Sequence, residues 1–227
     1  MIPRNRPSAG VYTRNGFLLG VVLGILLVLV GWRLAPNASL LSVCGAGLIL
    51  VLYGLVGFFG FLRIPSEIIN LVGVTGLLAG AIFAGEIVLE YVLLPRDNTS
   101  WGWVEFGSVF AIYFLTGLVA AYRSKSLRHG ILAAVGTAML SSLIWLIFAL
   151  LIFYLFRGSA RQFQVFTAEG NYADFAQSGI HDFNTFVMED FFGAGFYHLL
   201  LGPLVAAILG TLGGLIGKGT ARLRDKK

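Results

Sequence analysis

The chain has 227 residues, 57% of them hydrophobic and 12% charged, with a formal net charge of +5 and a mean hydropathy of +0.85. Soluble domains carry about 25% charged residues, so a chain this apolar has too little polar surface to stay dissolved, and lipid is its expected solvent. The basic residues gather at the ends of hydrophobic runs and form no stripe interleaved with aromatics, which argues against a nucleic-acid-binding face.

In chain order, residues 1–15 are basic, and the first apolar run, 16–34, follows Arg14. It is longer than a signal-peptide core and lacks an A-x-A cleavage pattern, so it reads as a retained span. Ala35-Pro36-Asn37 predicts a tight turn into a second span, 40–62, which Arg63-Ile64-Pro65 breaks. Ser66 is the expected N-cap of the third, 68–94, with Glu67 in its first turn. This run exceeds what the hydrocarbon core needs, so it must tilt or protrude, and Pro95 ends it. Trp101 and Trp103 suit the interface at the entry to the fourth span, 104–122. The fifth is 131–156, and the sixth is 195–217 with a kink expected at Gly202-Pro203. The expected fold is an all-α, polytopic membrane helix bundle of six spans of about 20 residues or more. A basic tail, 218–227, follows the sixth.

Charge gives the orientation. Arg4, Arg6, Arg14, Arg63, Arg123, Lys125, Arg128, Lys218, Arg222, Arg224, Lys226 and Lys227 fall on one side, and Arg33, Arg96, Arg157 and Arg161 on the other. The positive-inside rule makes the richer side cytoplasmic, and an even number of spans then puts both termini there, in a cell membrane. Asn37-Ala38-Ser39 and Asn98-Thr99-Ser100 match the glycosylation sequon on the outer side but read as capping and turn residues.

The connection 157–194 is too long for a turn and predicts helices of its own, with starts at Asn171-x-x-Asp174 and Ser178. From Ile180 onward, Phe183, Phe186, Val187 and Phe191 follow helical spacing with polar residues on the other faces. That predicts an amphipathic helix leading into the sixth span. The segment is acidic, so its apolar face, not a basic one, would make any membrane contact.

Small residues recur at helical spacing: Gly16, Gly20, Gly24 and Gly31 in the first span, Gly73, Gly76 and Gly80 in the third, and Gly202, Gly210, Gly213, Gly214 and Gly217 in the sixth. In lipid, helices gain little from burying apolar area against one another, and small residues instead let backbones approach. These glycines are the expected packing faces.

Ionisable residues inside spans are candidate functional residues by default. Glu86 and Glu90 share a face of the third helix, Glu105 starts the fourth, and His198 lies near the start of the sixth. Asp190 falls in the apolar arc of the preceding helix. All five fall near one level, where they could form a binding site, or stay at the interface paired with Arg33, Arg96 or Arg157. Two carboxylates and an imidazole can relay a proton or hold a cation, yet no Glu-x-x-His occurs and no metal is assigned. Thr137, Ser141 and Ser142 are expected to bond their own backbone carbonyls. Cys44 is the only cysteine, which excludes an internal disulfide and a cysteine zinc site.

No nucleophile setting is evident for an intramembrane serine protease. Gly213 to Gly219 superficially resembles a phosphate loop but has no Ser or Thr after Lys218, so nucleotide is not an expected partner, and no cofactor is indicated. The chain therefore reads first as a non-catalytic accessory or scaffolding subunit whose partners are the bilayer and another protein or a second copy. A small transporter or channel with a polar site comes second. A membrane enzyme or redox-cofactor carrier using the same acidic and histidine residues comes third.

Overall fold

A computed structural model describes residues 9–35, 37–93 and 99–224. Arg4, Arg6, Pro36, Pro95, Arg96, Asn98, Lys226 and Lys227 lie outside the described residues, so part of the charge count and one sequon do too. The described chain is helical throughout: α1 (Ala9–Leu34), α2 (Leu40–Leu62), α3 (Ser66–Leu93), α4 (Thr99–Ser124), α5 (Leu127–Phe156), α6 (Ala160–Ala168), α7 (Asn171–Ser178) and α8 (Phe183–Arg224). Six of these, α1 to α5 and α8, are long and apolar enough to cross a membrane. A helix satisfies its backbone N–H and C=O groups internally, which is the condition for spanning hydrocarbon.

The connections show how local chemistry places the ends. The Ser39 side chain caps α2 by accepting from the Ser42 N–H at 3.0 Å, so that residue of the sequon has a capping role. At the other end of α2, Arg14 of α1 donates to the Phe61 carbonyl at 3.0 Å. The third helix begins at Ser66 itself. The Pro65 carbonyl accepts from the N–H groups of Ile68 and Ile69, so Ser66 is the first helical residue and not the cap. Lys125, with φ 54°, turns the chain out of α4, and Ser126 caps α5.

Helix α5 is the central element, in contact with α1, α3, α4 and α8, while α2 lies outside, paired mainly with α1. Its buried stretch includes Gly130, Ala133, Ala134, Gly136, Thr137, Ala138, Ser141 and Ser142. Near one end of the bundle α4, α5 and α8 converge. A Cβ built on Gly117 would lie 2.6 Å from the Gly210 Cα, and one on Gly210 would lie 2.5 Å from the Ala134 Cβ. Gly213 and Gly217 lie against the backbone carbonyls of Phe114 and Leu118. On α3, Cβ atoms at Gly73, Gly76 and Gly80 would meet Thr13, Leu140 and Ile144 at 2.5, 2.7 and 2.5 Å. Gly20 faces Leu143, Gly24 faces Leu50, Gly202 faces Ser142 and Gly214 faces Leu127, whereas Gly16 has nothing within 4 Å.

The opposite end carries α6 and α7. Ser159 caps α6, and the Gln162 side chain reaches back to the Gly158 N–H at 2.7 Å, which closes that turn much as a capping box does. The expected starts in this segment shift. Gly170, with φ 83° and no side-chain bond, precedes α7, so Asn171 is its first helical residue, and Ser178 is its last. Asp182 caps the next helix, accepting from the Thr185 N–H at 2.8 Å. Nor is there a break between the amphipathic helix and the sixth span: both belong to α8, 42 residues long. At 1.5 Å per residue that is about 63 Å, twice the roughly 30 Å hydrocarbon core, so its first turns stand clear of the span. Aromatic rings join this cap to the bundle: Phe153 of α5 packs on Phe166 and Phe191, and Tyr172 of α7 stacks on Phe183 at 4.6 Å.

Gly210→Leu should lower thermal stability in detergent by an amount equivalent to at least the roughly 1–3 kcal/mol of an overpacked core, because Ala134 and the Gly117 backbone cannot both retreat. Gly16→Leu should leave the melting temperature unchanged. Equal melting curves for both variants would show that the α4–α5–α8 contact does not hold the bundle together.

Candidate functional site

Of the five candidate ionisable residues, the structure brings Glu86, Glu90 and Glu105 together. Glu86 and Glu90, one turn apart on α3, are hydrogen-bonded side chain to side chain, and Glu105 of α4 is the next nearest carboxylate acting on Glu86. Glu105 is buried, 8% exposed, although it is charged by type and sits in the first two turns of its helix. The sequence did not single out Glu169, the C-cap of α6, but its carboxylate joins this group by acting on Glu86. Asp190 is exposed and touches the group only through Glu169. Its neighbour Glu189 turns the other way and accepts from the Ser39 N–H at 3.1 Å, tying α8 to the start of α2.

Arg157, one of the three arginines offered as carboxylate partners, instead donates to the Leu34 carbonyl at the end of α1, at 3.4 Å. Arg224, at the far end, donates to the Tyr122 hydroxyl at 2.9 Å and lies over its ring. Arg14, Arg157 and Arg224 thus fasten helix ends, a role that a positive-inside count cannot distinguish from topology.

His198 has aromatic neighbours. Its imidazole stacks on Trp145 of α5, with centroids 3.8 Å apart and planes 13° apart, and meets the Phe83 ring edge-on at 5.9 Å. No carboxylate is among the groups acting on it. It lines a cavity of ≈ 280 Å³ between α3, α4, α5 and α8, together with Phe83, Phe106, Phe110, Tyr113, Ser142 and Tyr197. The polar residues of α5 serve this region more than their own helix: Ser141 bonds both the Ala138 carbonyl and the Tyr113 hydroxyl, and Thr137 bonds Thr75 of α3 at 2.8 Å. Trp145, Tyr113 and Phe83 were not foreseen. The available signal was the run Ser141-Ser142 followed within one turn by Trp145 on a long apolar helix.

Among the described residues, no three His, Cys, Asp or Glu side chains form a group that could hold a metal ion. No protein-family model matches the chain, and neither a curated protein nor a solved structure matches it significantly.

Glu169 supplies a pH response outside the spans. Its carboxyl is pushed up from 4.5 to about 7, first by desolvation against the bundle end and then by the negative charges of Glu90 and Asp190, although the residue as a whole is exposed. A carboxyl whose folded value is raised favours the folded cap while it is protonated. That contribution is complete below pH 4.5 and is lost as pH rises to about 7. Proteolysis at the α6–α7 turn should therefore accelerate between pH 5 and 7.5, and Glu169→Gln should flatten the response. An unchanged slope in the variant would assign the response to other groups.

Proposed function

We propose that the chain is a non-catalytic accessory or scaffolding subunit of a membrane complex, docking a partner's transmembrane helix along the groove between α1, α3 and α5. The supporting observation is the groove itself, ≈ 640 Å³, lined by Gly16, Gly20 and Gly73 with leucines and isoleucines around them. Leu143 and Thr13 already fill the space at Gly20 and Gly73, but at Gly16 it is open, and a small residue there leaves room for another backbone. A transport reading needs a polar path from end to end. Past Ser141 and Thr137, α4, α5 and α8 meet backbone to backbone at Gly117, Gly130 and Gly210, which closes that route. The enzyme reading needs the carboxylates and His198 to act together, and what weighs against it is that no carboxylate is among the groups acting on His198.

In this reading the basic ends of the chain are cytoplasmic and α6 and α7 face outward, following the basic-residue distribution.

Purification in mild detergent followed by mass spectrometry should recover a partner, or a second copy, in stoichiometric amount. Gly16→Leu should abolish that association while the melting temperature holds. A chain that runs alone and monomeric, or a variant that binds as before, would sink the proposal.

Sidedness has its own test. With Cys44, which is exposed, replaced by Ala, Ser178→Cys should react with an impermeant thiol reagent in intact cells. Protection until lysis would reverse the orientation.

A further inference from the structure

The cavity beside His198 has a mouth and a floor of different chemistry. The mouth, between α4 and α8, is formed by Phe106, Phe110, Tyr197 and Leu201, exposed to 42, 38, 61 and 51%. On a helix face that lies in lipid, this is an opening toward acyl chains, not toward water. The floor is made by Phe83, Tyr113 and Ser142, each at most 4% exposed, with the His198 imidazole beside them. The Tyr113 hydroxyl is already engaged by Ser141 at 2.8 Å. Ring contacts with Trp145 and Phe83 are His198's interactions among the described residues, and neither involves a hydrogen bond from its ring nitrogens.

A neutral imidazole offers one N–H donor and one lone pair. Here it is held flat against Trp145, so its orientation is fixed before any ligand arrives. The walls are aromatic faces and edges, which favour a planar ring over a branched aliphatic body. The volume, ≈ 280 Å³, falls just below the roughly 300–1,000 Å³ usual for ligand pockets. It suits one substituted ring, with an attached tail leaving through the mouth.

We propose that this cavity binds the ring of a membrane-soluble quinone, with a ring carbonyl accepting a hydrogen bond from His198 and the apolar tail passing between Phe106, Phe110 and Leu201 into the bilayer. This goes beyond the subunit role and needs no electron transfer by the chain itself. Aromatic rings hold the quinone plane, the imidazole selects the carbonyl, and lateral entry selects a lipid-soluble molecule.

The test uses the purified full-length chain in detergent, titrated with decylubiquinone while tryptophan fluorescence is followed. Quenching should saturate, and Trp145→Phe should remove the saturating component, because Trp145 lies against the histidine that holds the ring. His198→Ala should weaken binding at least tenfold, and His198→Gln, which keeps an N–H donor, should weaken it less. Should His198→Ala fail to fold, Leu201→Phe, which narrows the mouth from an exposed position, should weaken binding with an unchanged melting temperature. Quenching that rises linearly without saturation, or is the same in Trp145→Phe, would reduce the effect to partition into micelles and overturn the proposal. Displacement by n-decanol as effectively as by a second quinone would also overturn it, since the cavity would then recognise only a chain.

Discussion

Lipid does not push apolar helices together, so this bundle depends on how closely its backbones can approach. Helix α5 shows the constraint most clearly. Its buried positions from Gly130 to Ser142 are mainly small, which lets α1, α3, α4 and α8 surround it. Where α4 and α8 meet it, even a methyl group on Gly117 or Gly210 would enter a neighbouring backbone or side chain. Beyond Ser142 its buried residues are mainly larger, Leu143, Leu146, Ile147, Leu150 and Phe153, and there Trp145 reaches His198. The seam and the cavity are thus two consequences of one helix changing from small to large side chains along its length.

The buried polar groups follow from the same geometry. A hydroxyl in hydrocarbon needs a partner, and close helices supply one: Thr75 for Thr137, Tyr113 for Ser141, the Met139 carbonyl for Tyr53 and the Leu27 carbonyl for Tyr154. All four of these pairs cross between helices, and Tyr53 ties the outlying α2 to α5. Intrahelical back-bonding, the expected outcome for the polar residues of α5, holds in part for Ser141 and gives way to cross-helix bonds because the neighbours are near enough to compete.

Six apolar runs were legible in the sequence because membrane spans must be long and uniformly hydrophobic, and the second span has the limits read from the residues. Ends were less legible. Pro65 and Gly170 set helix starts through backbone carbonyls and a positive φ, whereas side-chain capping patterns pointed one residue later, to Ser66 and Asn171. At residue 195 the change from amphipathic to wholly apolar composition records a change of solvent and not an end of helix, since α8 runs through it. Among the candidate site residues, helical spacing correctly placed Glu86 beside Glu90. It could not place His198, whose neighbours come from α3 and α5, nor recruit Glu169, which reaches the acidic group through the packing of α6 on α3.

Continuity of α8 joins parts that the sequence separates. Asp182 caps it among the aromatic rings of the outer segment, His198 lines the cavity, and Gly210 to Gly217 lie in the backbone seam. Pro203 falls between the last two. It has no N–H for the Leu199 carbonyl, and its ring crowds the preceding turn, so the weakest backbone link of α8 lies at the level of the cavity and one turn or more from the seam. The seam tolerates no such defect, because its contacts run through the backbone itself. At the cavity the close neighbour of α8 is a side chain, Ser142 against Gly202, so a lost backbone hydrogen bond there does not touch the backbone contacts of the seam.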